Sequence, residues 1–202
     1  AFADSSVLLE RFIPAGRHIE VQVLGDEHGN LVHLFDRECS LQRRHQKVFE
    51  EAPAPLLPEA LRLRLLENSV RLAKAIDYSS LGTVEFLYDP QSGDCYFLEM
   101  NTRIQVEHPV TEMVTGLDLV ALQILVAGGG VLPLAQADIA VQGHAIEARL
   151  NAEMPEHGFV PALGRIERIA VPDEVGSSCR FRFDTGIAAG SIVTPYYDSM
   201  LA

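Results

Sequence analysis

The sequence predicts an α+β protein, an antiparallel sheet with flanking helices followed by the start of a second, β-rich unit. Three observations carry this. Two hairpin patterns stand out: RHIEVQVL (17–24) and LVHLFD (31–36) flank the turn formers Gly25 to Asn30, and TVEFLY (83–88) and CYFLEM (95–100) flank DPQSGD. An amphipathic helix pattern lies between the hairpins, and two short helical patterns follow them.

In chain order, VLLERFI (7–13) reads as a short strand carrying Glu10. In the first hairpin His18, Glu20 and Gln22 share one face, and Ile19, Val21 and Val23 share the other. A polar hairpin face is expected to meet solvent, so His18 carries little weight alone. CSLQRRHQKV (39–48) holds the densest positive cluster, Arg43, Arg44, His45 and Lys47, for which the bland reading is a solvated loop. In a chain of net charge −12 such a knot suits an anion such as phosphate or bicarbonate. The Pro-rich EEAPAPLLP closes that section, and Pro58 opens a scaffold helix to about Ile76, with Leu61, Leu65, Leu72 and Ile76 on one face.

Residues 110–127 read as two short helices broken at Gly116, with Asp118 as a cap and the glycines from Gly128 as a stop. IAVQGHAIEARL (139–150) reads as a strand with Glu147 and Arg149 on one face, a pairing most often structural. Strands near 164–171 and 179–184 would begin the second unit.

Composition limits the function. Sixteen basic against 28 acidic residues disfavours a nucleic-acid or anionic-membrane partner. The apolar runs are too short for a membrane helix. Cys39, Cys95 and Cys179 are far apart and lack metal-ligand spacing, which points to reduced thiols in a cytosol-like compartment. No initiator Met is present, and YYDSMLA stops inside an apolar segment, so the chain reads as a piece of a larger protein.

The stretch EMNTRIQVEHPV (99–110) concentrates the chemistry. As an extended chain it aligns Glu99, Asn101, Arg103, Gln105 and Glu107 on one side, entering from the apolar CYFLEM. Arg103 and Glu107 would then stand roughly 13 Å apart at about 3.3 Å per residue. One small substrate could touch both only if regular strand ends near Asn101 and residues 102–108 curl. In the hairpin before it, pairing Tyr88 with Tyr96 would set Glu85 opposite Glu99. Two facing carboxylates repel, and a divalent cation such as Mg²⁺ between them removes the conflict. A one-residue slip would end that argument.

Together, EMNTRIQVEHPVTEM, CSLQRRHQK, EEAPAP, RHIEVQVLGD and GHAIEARLNAE resemble the biotin carboxylase component of biotin-dependent carboxylases, in the ATP-grasp superfamily. The resemblance runs in order through essentially the whole chain, to TPYYDSM. It implies the C-terminal half of an ATP-grasp domain over 1–140 and the beginning of the biotin carboxylase C-terminal domain over 141–202. The implied reaction uses MgATP, with Mn²⁺ as a substitute metal, to convert bicarbonate to carboxyphosphate and then carboxylate biotin on a carrier domain. The implied partners are a biotin carboxyl carrier domain and a carboxyltransferase component, in a homo-oligomeric parent in the cytoplasm or, in a eukaryote, the mitochondrial matrix.

Residue by residue, the resemblance implies Glu85, Glu99 and Asn101 as metal and phosphate ligands. It implies Lys47, Arg103, Gln105 and the Val106 backbone as the bicarbonate pocket, and Glu107 as the base. Arg149 would steady the biotin enolate, and Glu10, Arg11, Phe12, Ile13, His18, Gln42 and His45 would form the adenine and ribose wall. Arg11 stands where the family usually has Lys. The family's glycine-rich lid and ATP-holding lysines would lie upstream of Ala1, so the chain alone is expected to be inactive. Two rival readings share parts of this pattern. A carbamoyl phosphate synthetase module shares E-x-N-x-R but typically continues into a serine-rich stretch rather than QVEHPVTEM. A non-catalytic folded scaffold would fail a nucleotide-binding assay.

Overall fold

The computed structural model describes residues 7–172 and 179–202. Two units divide the chain, Ala1–Glu147 and Ala148–Ala202. The first is built on β1 (Arg17–Gly25), β2 (Leu31–Arg43), β3 (Gln46–Ala52), β4 (Ser80–Tyr88), β5 (Cys95–Asn101) and β6 (Ala145–Ala148). These form one sheet in the order β5-β4-β1-β2-β3-β6. β1 is central because both its edges are used: it pairs antiparallel with β2 and with β4.

Alternation along β1 decides what packs where. Ile19, Val21 and Val23 point to one face with Val84, Phe86 and Tyr88 of β4. Helix α1 (Glu59–Ala75) closes that face with Leu61, Leu65, Leu66 and Ala73. Arg62 ties α1 down by pairing with the buried Asp36 carboxylate and donating to the Ala54 carbonyl at 2.8 Å. On the reverse face Leu24, Val32, Leu34 and Leu81 pack with Leu119 and Val126 of α3 (Leu119–Ala127). α2 (His108–Thr115) precedes it and stops at Gly116, whose φ of 72° is the left-handed conformation a glycine C-cap adopts. Asp118 caps α3 by accepting from the Ala121 amide at 2.8 Å. No single helix among the described residues is long and apolar enough to cross a membrane.

One corner is held by a carboxylate. Asp26, in the β1–β2 turn, accepts from the amides of His28, Asn30 and Leu132 at 2.9 Å and from Asn30 Nδ2 at 2.8 Å. Burial alone would raise its pKa, but the Leu132 and Asn30 donors outweigh that and hold it at about 2.

The second unit has little regular structure. Its strands are two-residue pairs, Glu153–Met154 with Val160–Pro161 and Gly164–Arg165 with Ile192–Val193. Asn151 bridges to Met200, and Leu150 exchanges backbone hydrogen bonds with the chain end.

Several sequence expectations are corrected. Residues 7–13 are not a strand: Val7, Leu8 and Leu9 are exposed, and none of the described strands pairs with them. The basic stretch 39–48 is not a loop, because β2 continues to Arg43, turns at Arg44 and His45 (φ 52° and 64°), and returns as β3. Ile76 caps α1 exposed, and Leu66, Ser69 and Ala73 take the inward positions instead. β5 is one edge of the sheet, and Phe97 and Leu98 of the apolar CYFLEM are exposed. Only Ala145–Ala148 of 139–150 is strand, the expected strand over 164–171 shrinks to two residues, and none forms over 179–184.

Candidate functional site

The site grows from cross-strand pairing on the reverse face of the sheet, beyond the α3 contact. Glu20 stands opposite Glu85 across β1–β4, Gln22 opposite Thr83, and Arg37 opposite Glu20 across β1–β2. The β1–β2 pairing slips by one residue between Val21 and Val23, where Phe35 takes φ 66°. All five polar residues are at most 5% exposed. Burial at this depth requires partners, and each has them. Arg37 Nε donates to Glu20 Oε1 at 2.5 Å, and its other nitrogens reach Gln22, Thr83, Gln105 and Thr111.

Lys47 enters from β3 and places Nζ 2.6 Å from Glu20 Oε2, 3.1 Å from Glu85 Oε1 and 2.5 Å from Glu107 Oε1. His18 Nε2 lies 3.0 Å from Glu85 Oε2, and Gln42 Nε2 lies 3.2 Å from His18 Nδ1. Lys47 and Arg37 thus sit among the carboxylates of Glu20, Glu85 and Glu107. Burial opposes the Lys47 charge, yet Glu20 and Glu107 outweigh it and raise its pKa. Burial would likewise raise Glu85, but the His18 hydrogen bond and the Lys47 charge bring it down to about 2. For Glu20, burial is outweighed by Arg37 and Lys47, and its pKa is lowered.

The facing pair Glu85 and Glu99 is present by a route the sequence reading did not foresee. Tyr88 pairs with Cys95, not Tyr96, a register that would bring Leu98 opposite Glu85. A bulge between Glu85 and Phe86 shifts the pairing by one, and Glu99 takes that place. Asn101 Nδ2 bridges the two carboxylates, 3.0 Å from Glu85 Oε1 and 3.2 Å from Glu99 Oε1. The strand ends at Asn101, and residues 102–107 fold back so that Gln105 and Glu107 are buried while Arg103 and Val106 are exposed. Gln105 Nε2 donates to Glu85 Oε1 at 2.8 Å.

The structure therefore gathers His18, Gln42, Lys47, Glu85, Glu99, Asn101, Gln105 and Glu107. Arg103 Nη1 donates to the Ile104 carbonyl at 3.1 Å. Glu10, Arg11 and Phe12 are exposed and Ile13 half-buried, outside any regular element, with Arg11 Nη1 3.3 Å from the Tyr96 hydroxyl. His45 is exposed in the β2–β3 turn. Arg149 belongs to the second unit.

Sequence reasoning missed Glu20, Gln22, Arg37, Thr83 and Thr111. Glu20 and Gln22 alternate with core residues on β1, and their face is covered by α2 and residues 102–107, which lie far along the chain. Arg37, a charge inside the strand-like run LVHLFDREC, was the usable signal.

The donor chemistry sorts possible cation positions. His18, Glu20 and Glu85 offer ligand atoms within 4.8 Å of one another, as do Glu20, Cys39 and Glu107. Lys47 and Arg37 already balance charge in that part of the cluster. Glu85 and Glu99 instead offer hard carboxylate oxygens at the side where Glu99 meets solvent, a donor set whose chemistry suits Mg²⁺; Asn101 turns its Nδ2 to both and would lend its Oδ1 only with the amide reversed.

Residues 1–135 match the family described as carbamoyl-phosphate synthase L chain, ATP binding domain, and residues 147–202 match the biotin carboxylase C-terminal domain. A biotin carboxylase of Halalkalibacterium halodurans is 53% identical over 201 residues, covering 100% of this chain and 43% of that protein. The mitochondrial methylcrotonoyl-CoA carboxylase subunit alpha of Rattus norvegicus is 50% identical over 202 residues, 100% of this chain and 28% of that protein. The chain thus spans less than half of these relatives. Among solved structures, the biotin carboxylase domain of Hydrogenobacter thermophilus 2-oxoglutarate carboxylase, in complex with MgADP, ADP and bicarbonate, superposes with a TM-score of 0.89. It is 49% identical, and the match covers 95% of this chain and 41% of that one.

Proposed function

This chain belongs to the biotin carboxylase family, and we propose that the protein carrying it uses ATP and bicarbonate to carboxylate biotin on a carrier domain, through carboxyphosphate. The observation that carries this reading is the convergence of Lys47, Gln105 and Glu107 beside Glu85, Glu99 and Asn101 in one cluster.

Bicarbonate is a weak nucleophile until its proton is removed. Glu107 takes that proton, and Lys47, 2.5 Å from Glu107, then faces a neutral acid and a more negative substrate. Its ammonium is left to hold the carbonate oxygens together with Gln105, the Val106 backbone and Arg103, whose exposed guanidinium is free to swing onto the substrate. The carbonate oxygen attacks the γ-phosphorus, and ADP leaves. Glu85 and Glu99 with Asn101 would hold Mg²⁺, or Mn²⁺ in its place, which supplies positive charge to the phosphates. His18, Gln42, His45 and the segment 10–13 would take adenine and ribose. Arg149 would steady the enolate oxygen of biotin. The partners are the carrier domain and a carboxyltransferase component, in a homo-oligomer of the cytoplasm or the mitochondrial matrix.

Glu107→Gln tests the reading in the full-length protein. Bicarbonate-dependent ATP cleavage should fall by about 10²–10⁴, with nucleotide affinity unchanged because Glu107 serves bicarbonate. Undiminished cleavage would remove Glu107 as the base.

A further inference from the structure

Arg37 is the largest of the fully buried side chains among the described residues, and it comes from β2, the strand that also carries Gln42. Its guanidinium has five N–H groups, and five acceptors meet them one for one. Nε reaches Glu20 Oε1 at 2.5 Å, Nη1 reaches Gln22 Oε1 at 2.7 Å and Thr111 Oγ1 at 3.0 Å, and Nη2 reaches Thr83 Oγ1 at 3.3 Å and Gln105 Oε1 at 3.1 Å. The acceptors come from β1, β4, α2 and the segment 102–107.

The contact with Gln105 has a chemical consequence. A carboxamide has a donor end and an acceptor end of nearly equal shape, and only its partners decide which way it points. Arg37 claims Gln105 Oε1, which turns Gln105 Nε2 toward Glu85 Oε1 at 2.8 Å. A flipped amide would set donor against donor at Arg37 and acceptor against carboxylate at Glu85. In the orientation held, one Nε2 hydrogen goes to Glu85 and the second is available to an anion.

We propose that Arg37 is a positioning residue for the bicarbonate pocket: its guanidinium fixes the polarity of the Gln105 carboxamide, so that the pocket presents an N–H donor to the anion. The assignment rests on the function proposed above. Lysine cannot do the same, since a single ammonium with three N–H groups cannot span acceptors on four segments.

The test is a double-mutant cycle in the full-length protein, with Arg37→Lys, Gln105→Ala and the two combined. Each is read by kcat, by the KM for bicarbonate and for ATP, and by melting temperature. Arg37→Lys should raise the bicarbonate KM by about tenfold while the ATP KM moves by less than about twofold. In the Gln105→Ala background the same change should move the bicarbonate KM by less than about twofold, because the amide it orients is gone. A full tenfold effect in that background, or equal shifts in both KM values, makes Arg37 scaffold only and overturns the assignment.

Should Arg37→Lys lose its melting transition, Thr111→Val takes its place, deleting one acceptor of the fork without touching the pocket. A rise of about threefold in bicarbonate KM that disappears with Gln105→Ala supports the assignment. An unmoved bicarbonate KM overturns it. A wild-type protein whose ATP cleavage ignores bicarbonate overturns the proposed function and this assignment together. Bicarbonate-dependent wild type with unsplit variants overturns the assignment alone.

Discussion

On the side of β1 and β4 that meets α1, Ile19, Val21, Val84 and Phe86 are buried among leucines. On the reverse side of the same two strands Glu20, Gln22, Thr83 and Glu85 are buried to a similar depth, among charges and amides. Apolar burial stabilises at about 25 cal/mol per Å². A buried charge network at best breaks even against well-packed hydrophobic residues. The apolar side therefore holds the sheet to its helix, and the polar side is better explained by what it can bind.

That contrast can be broken experimentally. Val84→Asp puts a carboxylate on the α1 side, where the guanidinium of Arg62 is already taken by Asp36. It should cost about 4 kcal/mol or more and leave the protein unfolded. A cooperative chemical denaturation near the wild-type midpoint would show that this face tolerates charge. Leu65→Ala, on the same side, should lose about 2–5 kcal/mol through the cavity it opens.

Asp26→Asn asks whether a buried carboxylate can be pure scaffold. Asp26 is served by backbone amides and Asn30 rather than by cations, and the variant should lose about 1–3 kcal/mol at neutral pH. Its pKa is depressed from 3.8 to about 2, so its contribution is complete above 3.8 and is lost as pH falls through about 2. The stability gap between variant and wild type should therefore close across that window. A gap that stays constant down to pH 2 would contradict the depressed pKa.

The smallest effect is expected for Thr83→Val, which removes only the longest of the five Arg37 bonds, at 3.3 Å. Its loss in thermal denaturation should stay below about 1 kcal/mol. A loss as large as that of Leu65→Ala would mean the polar side holds the fold after all.

The sequence made the hairpins, the α1 span, the Gly116 break and the Asp118 cap legible, because each is a local rule acting on neighbouring residues. The opposition of Glu85 and Glu99 was reached from a wrong pairing of Tyr88, since a bulge is a property of two strands and leaves no mark in either one. The polar face of β1 was read as solvated because alternation tells which residues share a face and says nothing of what covers it. Here α2 and residues 102–107 do so, through Thr111 and Gln105. Residues 7–13 failed for a related reason: a strand pattern becomes a strand only when it pairs, and none of the described strands pairs with them. The short pairings of the second unit gave too few alternating residues to read.

The guanidinium of Arg37 also dictates an order of assembly. Its acceptors lie 15 to 74 positions away along the chain, the two most distant being Gln105 and Thr111. Joining segments so far apart pays its loop-closure entropy early and collects its contacts late. The β1–β2 hairpin needs only contacts between neighbours in the chain, but the fork is complete only when β4 has added to the sheet and α2 has docked. In kinetic terms the anion-binding end should be the last part to close and the first to open. In native-state hydrogen exchange the amides of α2 should accordingly exchange through smaller openings than those of β1.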